Sequence, residues 1–522
     1  MRGRKVIVLC IVGAMFLLVA CSPDNGAGDA QTLRVATDAE PGTFDWHQST
    51  SGATQSATIQ VLETLYSLDE NYAPVPMLAE SEPQVTNGGL TYVIPVRDDV
   101  TFHDGTSLDA QDVAASLERW GEVSSNGRSM FAQVDEVTAT DDHEVTIVLS
   151  EPYDVVRALA VPIAAAAIMP RDIVEQYGSD VIEDVTDLVG SGPYRMVEWA
   201  KGRHYTMERF DDYTPADNGA DGGLAAARPA TYERVEVALV QDASTRYQST
   251  SSGQYDVALN LPGDIYDEVE ASGLTTRVVS PYYSQYLLLD TSEPPFDDPE
   301  VRRAVALALD EPSLAMAAYG HEDLFELNGA IYPVDMGVLS TEAGIDKYGE
   351  QNTDEASALL EASDYDGEPV VWMTSQALAP IYNFSIAAGE QLEAVGFNVE
   401  IDVTEWAAMN DRYTQPETWD MFSTAFGVGY AMPSFHLLLN GQFPYEDWYA
   451  YDDEMADLLT AWHTAESESE QSAVMAQIQT QFYGDRPAIK LADYAAVNGI
   501  SPDVSLEDQG FYLPLWWNAE PA

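Results

Sequence analysis

The run from Pro369 to Val403 constrains the fold more than any other stretch of this sequence. Val370-Val-Trp-Met373 is an apolar strand. Ile381 to Val395 has apolar residues at helical spacing and stops at Gly396. Phe397, Val399, Ile401 and Val403 then alternate with Asn398, Glu400 and Asp402. Strand, helix and half-buried strand in so short a run predict a βαβ crossover, which commits part of the chain to a sheet with parallel strands and helices packed on it. At 522 residues the chain exceeds one hydrophobic core, so two or three domains of mixed α/β type are expected.

Other elements fit this class. Leu33 to Ala36 reads as a strand, Thr54 to Tyr66 as a helix, and Tyr92 to Val96 as a strand whose Pro95 argues for an edge or bulge. Leu108 to Trp120 reads as a helix capped by Ser107, and Glu144 to Leu149 alternates like a strand. Asp298-Pro299-Glu300 marks a helix start, with Asp as cap and Pro at the first position. Asp212 to Pro229 is a loop by composition, and Ala465 to Phe482 an acidic helical stretch. No internal repeat is visible.

The N-terminus carries a short basic segment, Met1 to Lys5, and an apolar run, Val6 to Ala20, too short for a comfortable membrane span. It ends in Leu18-Val19-Ala20-Cys21, which resembles the lipobox of bacterial lipoproteins. The resemblance implies a leader over 1–20, lipidation at Cys21 and a polar tether over 21–31. Two or more acyl chains anchor a protein stably, whereas one is marginal. Cys10 falls in the leader, so no disulfide framework, Cys-metal site or Cys nucleophile is expected beyond Cys21.

The charge excludes further classes. Asp and Glu number 87 against 23 Lys and Arg, a net −64, which loss of Arg2, Arg4 and Lys5 with the leader takes to −67. Such an acidic surface repels a phosphate backbone, so no nucleic-acid partner is expected. It suits a salty or alkaline exterior, or attracts cationic solutes; net charge does not separate the two. With so many carboxylates, neighbouring acids say little about hydrolysis. No G-x-S-x-G elbow, phosphate loop or dinucleotide fingerprint occurs. No two of the seven histidines are spaced three to five residues apart. No catalytic residue, metal site or cofactor is therefore expected, and a secreted hydrolase is the remote alternative.

Several segments resemble the extracytoplasmic solute-binding proteins of family 5, the peptide, nickel and opine binders of ABC importers. Thr43-Phe44-Asp45 is similar to the family's Thr-Leu-Asp-Pro, with Trp46 replacing Pro. Leu62 to Tyr66 and Pro76 to Ser81 resemble its E-x-L and P-x-L-A-E-S run. Phe102-His103-Asp104-Gly105 with Ala110-Gln111-Asp112-Val113, Gly190-Ser-Gly-Pro-Tyr194, Gly253 to Asp256, and Pro295-Phe296-Asp297 with Val301 to Ala304 follow in the family's order. The resemblance implies an α/β, two-lobed periplasmic-binding-protein type II fold with mixed sheets and a ligand cleft between lobes. Lobe I would span 32–280, lobe II 281–487, and 488–522 would return to lobe I. The lobes would rotate about crossings near Ser280 and Ala488. The implied function is a non-enzymatic, monomeric, lipid-anchored extracytoplasmic binder that delivers a small solute to an ABC permease and ATPase complex. A peptide is the first expectation, with an oligosaccharide or nickel chelate as alternatives.

The motifs themselves read as scaffold. In Gly190 to Tyr194 the glycines are expected to permit positive φ and the proline to stiffen the turn. Reversible capture of a polar solute needs aromatic platforms and a few placed polar groups. In relatives the loop after the first strand and a lobe II loop face the cleft. These correspond to Thr43, Phe44 and Trp46, and to Ala425–Pro433 with Phe426, Gly427 and Tyr430. These residues are the expected ligand contacts. Trp372 reads equally as contact or strand core; Trp448, Trp516 and Trp517 read as packing. Peptide binders of the family place an Asp in the Ala425–Pro433 loop, and this loop has none.

Overall fold

A computed structural model describes residues 32–522 except 334, 377, 406–407, 410–411, 413–414, 428–431, 437, 440–452, 466 and 507–510. The leader, the tether, Cys21 and Tyr430 lie outside the described residues.

An eleven-stranded mixed sheet organises the molecule. Its main strands are β1 (Thr32–Thr37), β2 (Tyr194–Ala200), β3 (His204–Arg209), β4 (Arg234–Leu239), β5 (Val257–Leu261), β6 (Thr275–Leu289), β7 (Val370–Thr374), β8 (Val399–Val403), β9 (Met421–Gly427) and β10 (Ala488–Ile500). In space they run β2-β3-β4-β1-β5-β10-β6-β9-β7-β8, with Phe325–Glu326 pairing beside β10. At one end β1 is parallel to β4 and β5. At the other β7 is parallel to β8 and β9. The antiparallel pair β6 and β10 joins the two groups. Thr275–Val279 pairs with Ala496–Ile500 and Tyr283–Leu288 with Ala488–Tyr494, with the register broken between Val279 and Tyr283. Two buried clusters pack against the sheet, one holding Leu33, Trp120 and Val237 and reaching Met373, Phe422 and Trp462, the other holding Leu289, Val305 and Leu392. This is the two-lobed α/β architecture expected.

The helices that position the site are α1 (Gly52–Thr58), α2 (Ala110–Val123), α3 (Pro299–Ala308) and α4 (Ala379–Val395). The βαβ unit forms as read: β7, α4 and β8, with β7 and β8 parallel. Ile381, Phe384, Ala388, Leu392 and Val395 make the buried face of α4. Gly396 ends the helix at φ 119°, a left-handed value that glycine takes without a Cβ clash. β8 is the sheet edge, so its alternating residues are half-buried at most and Val403 is 45% exposed. Asp298 caps α3 by accepting the Glu300 N–H at 2.8 Å.

Four local expectations need correcting. The helix expected over Thr54 to Tyr66 ends at Thr58; Glu63–Thr64 and Tyr66–Leu68 are short strands. Residues 57–68 are all buried, so apolar spacing there carries no information about which face is outside. The cap of α2 is Asp109, not Ser107. Its carboxylate accepts the Gln111 and Asp112 amides, and Asp112 returns the bond to the Asp109 N–H. The strand Thr91–Pro95 is interior to a four-stranded sheet, between Gln84–Thr86 and Glu144–Leu149, and Pro95 is only its last residue. Gly190 and Gly192 do not take positive φ. They are needed because a Cβ at either would run into the Gln60–Val61 backbone.

Candidate ligand-binding cleft

The carboxyl ends of parallel strands in an open α/β sheet leave room for a ligand where the following loops diverge. Here both parallel groups contribute such ends to one cavity of about 1470 Å³. From the first half come Thr37 and Asp38 at the end of β1, Leu239 and Gln241 at the end of β4, and Asn260 to Pro262 at the end of β5. From the second come Thr424 to Gly427 at the end of β9 and Leu378 to Ile381 at the start of α4. The N-cap Leu378 makes no side-chain bond to the first-turn amides, so the partly positive helix start opens on the cavity. The crossing strands add Val279, Tyr282, Tyr283 and Tyr494.

Tyrosine rings dominate that wall. Tyr282 and Tyr283 meet edge to face at 4.5 Å between centroids, and Tyr283 stacks on Tyr494 at 5.9 Å. Tyr494 stacks in turn on Tyr319 at 5.0 Å. Tyr512 joins Tyr282 at 5.9 Å, and its hydroxyl donates to Gln55 Oε1 at 2.6 Å. Burial, and after it the Asp38 charge, pushes the Tyr283 phenol up to about 12, so the wall is neutral at physiological pH.

Asp38 is half-buried and accepts from Asn260 Nδ2 at 2.9 Å. Asn260 takes a left-handed φ of 52°, and its N–H donates to Asn498 Oδ1 at 3.0 Å. The Arg246 guanidinium, also on the wall, donates to the carbonyls of Val240, Gln241, Leu259 and Asn260. It is a strut under the loops.

The loop after β1 is anchored by a buried ion pair. Arg119 on α2 holds Asp45 through Nη2–Oδ2 at 2.6 Å and Nη1–Oδ1 at 3.1 Å, with both side chains at most 2% exposed. Arg119 also donates to His47 Nδ1 at 3.0 Å and to the carbonyls of Gly178 and Asp180. Burial and Arg119 push the His47 pKa down to about 4, so neutral His47 donates Nε2–H to the Ala167 carbonyl at 2.8 Å. Burial works to raise the Asp45 pKa, but Arg119, helped by the Ile182 amide, outweighs it and holds the carboxyl below its usual value.

This anchoring decides where the expected contacts go. Phe426 and Gly427 line the cavity. Phe44 does not: it is 1% exposed, wedged edge-on between Trp199 and Tyr205. Trp46 is 3% exposed and donates Nε1–H to the Pro162 carbonyl at 2.9 Å. Thr43 turns inward, its hydroxyl accepting the Asp45 N–H and its carbonyl accepting from Thr54. The stretch that follows, Gln48 to Ala53, reaches the cavity instead. Trp372 is fully buried and donates to Ser423 Oγ at 2.8 Å. Sequence reasoning missed Asp38, Tyr282, Tyr283, Tyr494 and Tyr512. Asp38 directly follows the first strand, and Tyr282-Tyr283 directly follows the crossing expected near Ser280, so position relative to those features was the available sign.

A second contact set bridges the halves. Tyr153 stacks on His463 at 3.9 Å and shares a hydrogen bond with Ser434 at 3.3 Å, and Gln471 donates to Asp154 at 3.3 Å. Among the described residues there is no group of three His, Cys, Asp or Glu able to hold a metal, and no helix long and apolar enough to cross a membrane.

Comparison with known proteins gives a consistent picture. The profile of the bacterial extracellular solute-binding proteins, family 5 Middle, matches residues 73–442. A probable peptide ABC transporter periplasmic-binding protein of Sinorhizobium fredii is 25% identical over 512 residues, 94% of each chain. The glutathione-binding protein GsiB of Pectobacterium atrosepticum is 28% identical over 315 residues, 60% of this chain and 57% of that one. Among solved structures, the oligopeptide-binding protein AppA of Bacillus subtilis, in complex with a nonapeptide, superposes with a TM-score of 0.79 at 20% identity, covering 94% of this chain and 99% of that chain. AgaA of A. tumefaciens R10 with agropinic acid gives 0.78 at 20% identity and the same coverages. These two share the fold.

Proposed function

Because the chain belongs to family 5 of the bacterial extracellular solute-binding proteins, we propose that it captures a short peptide in the cavity between its halves and hands it to the permease and ATPase of an ABC importer. It works outside the cytoplasm as a monomer, held to the membrane by a lipid on Cys21, and it releases its solute chemically unchanged. The observation that carries the reading is the cavity. Its volume of about 1470 Å³ exceeds the roughly 300–1,000 Å³ of drug-sized sites. Its wall offers aromatic faces, strand-end backbone groups and a helix start, the features an extended peptide with polar ends can use. The relative from S. fredii carries a peptide-transport name and AppA was solved with a nonapeptide.

The lobes extend over 32–280 and 281–487, with the chain returning to lobe I in its last segment. We place the hinge where β6 changes register, Val279 to Tyr283, and where β10 passes from one half to the other, Tyr494 to Ala496. Closure is favoured only by contacts absent from the open form, here the solute and the Tyr153 clasp.

Mass spectrometry of solute released by denaturing the purified protein tests the reading directly. Peptides are expected, together with compaction in X-ray scattering when they are restored. A different released solute, or no change in scattering, refutes it. An oligosaccharide or a metal chelate is the competing reading, favoured by the stacked tyrosines, and the released mass separates the three.

A further inference from the structure

The charged groups on the cavity wall are not equivalent. Arg246 is bound by four carbonyls and is 2% exposed. Arg277 has a partner of its own. Both Glu40 oxygens accept from the Gly202 amide, and one also from Trp199 Nε1. Asp264 is exposed at the rim. His436 is buried, with its pKa down to about 4 through burial and Lys490, and is neutral. Asp38 remains. It is a half-buried carboxylate at the end of β1, oriented by Asn260; the Arg246 charge is felt there, but Arg246 spends its donors on carbonyls and forms no ion pair or hydrogen bond with Asp38.

Its neighbours point the same way. The Asp38 charge reaches the phenols of Tyr282, Tyr283 and Tyr494, whose rings cluster within 6.5 Å of one another. Aromatic faces are negative and attract a cation most where water is excluded. A carboxylate beside three such rings, in a chain of net charge −64, suits a positively charged nitrogen. The opposing strand end, Thr424 to Gly427, carries no charge that competes for it.

The geometry points to Asp38 as the anchor for a cationic nitrogen of the solute, with Tyr282, Tyr283 and Tyr494 as the surrounding cage. This rests on the solute-binding reading of the cavity and adds the chemical class of what is bound: for a peptide, its free amino terminus or a lysine amine. The nitrogen donates to the Asp38 oxygen that Asn260 leaves open, and the rings shield the pair from water.

The test uses the purified protein and its Asp38→Asn and Asp38→Glu variants, each first unfolded and refolded to remove resident solute. Each is incubated with a casein hydrolysate, or with the same hydrolysate after acetylation of its amines, and retained peptides are counted by mass spectrometry. The wild type is expected to retain peptides from the untreated hydrolysate and not from the acetylated one. Asp38→Asn is expected to retain on the order of 30-fold less, the loss of one charge-assisted hydrogen bond, while melting within a few degrees of wild type. Asp38→Glu, which keeps the charge, is expected to recover part of the retention. Equal retention of acetylated peptides, or full retention by Asp38→Asn, overturns the assignment and leaves peptide capture standing. Retention of nothing from either hydrolysate refutes the peptide reading. The same comparison with a mixture of polyamines, free or acetylated, then decides the cation site, and binding there that ignores Asp38, or no binding, overturns it.

Discussion

Replacing Arg119 with Met should unfold the first lobe's loop anchor in a pH-dependent way. In the native protein Arg119 makes two short bonds to Asp45, which is 0% exposed, and closes two backbone carbonyls. Met fills the space but leaves a buried carboxylate with only the Ile182 amide and Gln48 Nε2 for partners. Removing one partner of such a pair costs about 3–5 kcal/mol. At about 2–4 °C per kcal/mol for a unit of this size, the first lobe's transition should drop by roughly 6–20 °C at pH 7. The sign of the pH dependence follows from the two proton affinities. In the wild type Asp45 is held below its ordinary 3.8, so its contribution is present above 3.8 and fades as the pH falls through the folded value. In the variant burial is no longer outweighed, the folded carboxyl rises above 3.8, and uptake of a proton relieves the cost. Losing Arg119 also removes one cause of the depressed His47 pKa, which pushes the same way. The stability gap is therefore expected to narrow from pH 7 to pH 4. Calorimetry at pH 7, 5.5 and 4 measures it, with Asp45→Asn/Arg119→Met expected to regain part of the loss at pH 7. A loss under about 1 kcal/mol, or a gap that does not change with pH, would refute the reasoning.

Three further outcomes are expected. Gly190→Ala should destabilise by about 3 kcal/mol in urea unfolding, because its Cβ meets the Val61 carbonyl; a neutral effect would show that this turn is not packed as described. Trp372→Phe should cost about 2–3 kcal/mol through the lost bond to Ser423 and the smaller ring, with solute affinity by calorimetry unchanged, whereas a selective affinity loss would return Trp372 to the cleft. His463→Ala should weaken solute retention about 3–10-fold, since an aromatic stack such as that with Tyr153 is worth about 0.5–1.5 kcal/mol, and scattering should show a more open solute-free form; unchanged retention and scattering would mean that the stack does not hold the halves together.

The fold was legible where a residue's neighbours in sequence determine its structure. Gly396, Asp298 with Pro299, and the alternation of Glu144 to Leu149 act within one turn or one strand, and each does in the structure what its type predicts. Legibility failed where the cause lies far along the chain. Gly190 and Gly192 are small because Gln60 and Val61 pass against them, a contact no local pattern reveals. The helix expected over Thr54 to Tyr66 stops early for a related reason: the segment is enclosed on all sides, and an enclosed segment has no periodicity to read.

The site was partly legible, and the misplaced part has one physical origin. Aromatic type reports the apolar area a side chain offers, not whether that area meets a ligand or another side chain. Phe44 and Trp46 sit in the expected loop, yet Asp45 between them is drawn into the Arg119 pair. Both rings then go down with it into the core, while Gln48 to Ala53 come up to the cavity. Backbone position is the better guide. Asp38, Asn260 and Phe426 share no chemistry, but each lies at or just beyond the carboxyl end of a strand with a parallel neighbour, and all three line the cavity. The tyrosines at the crossings line it because β6 and β10 run through both halves. The cavity in this chain follows from strand direction first, and residue type then decides what the cavity holds.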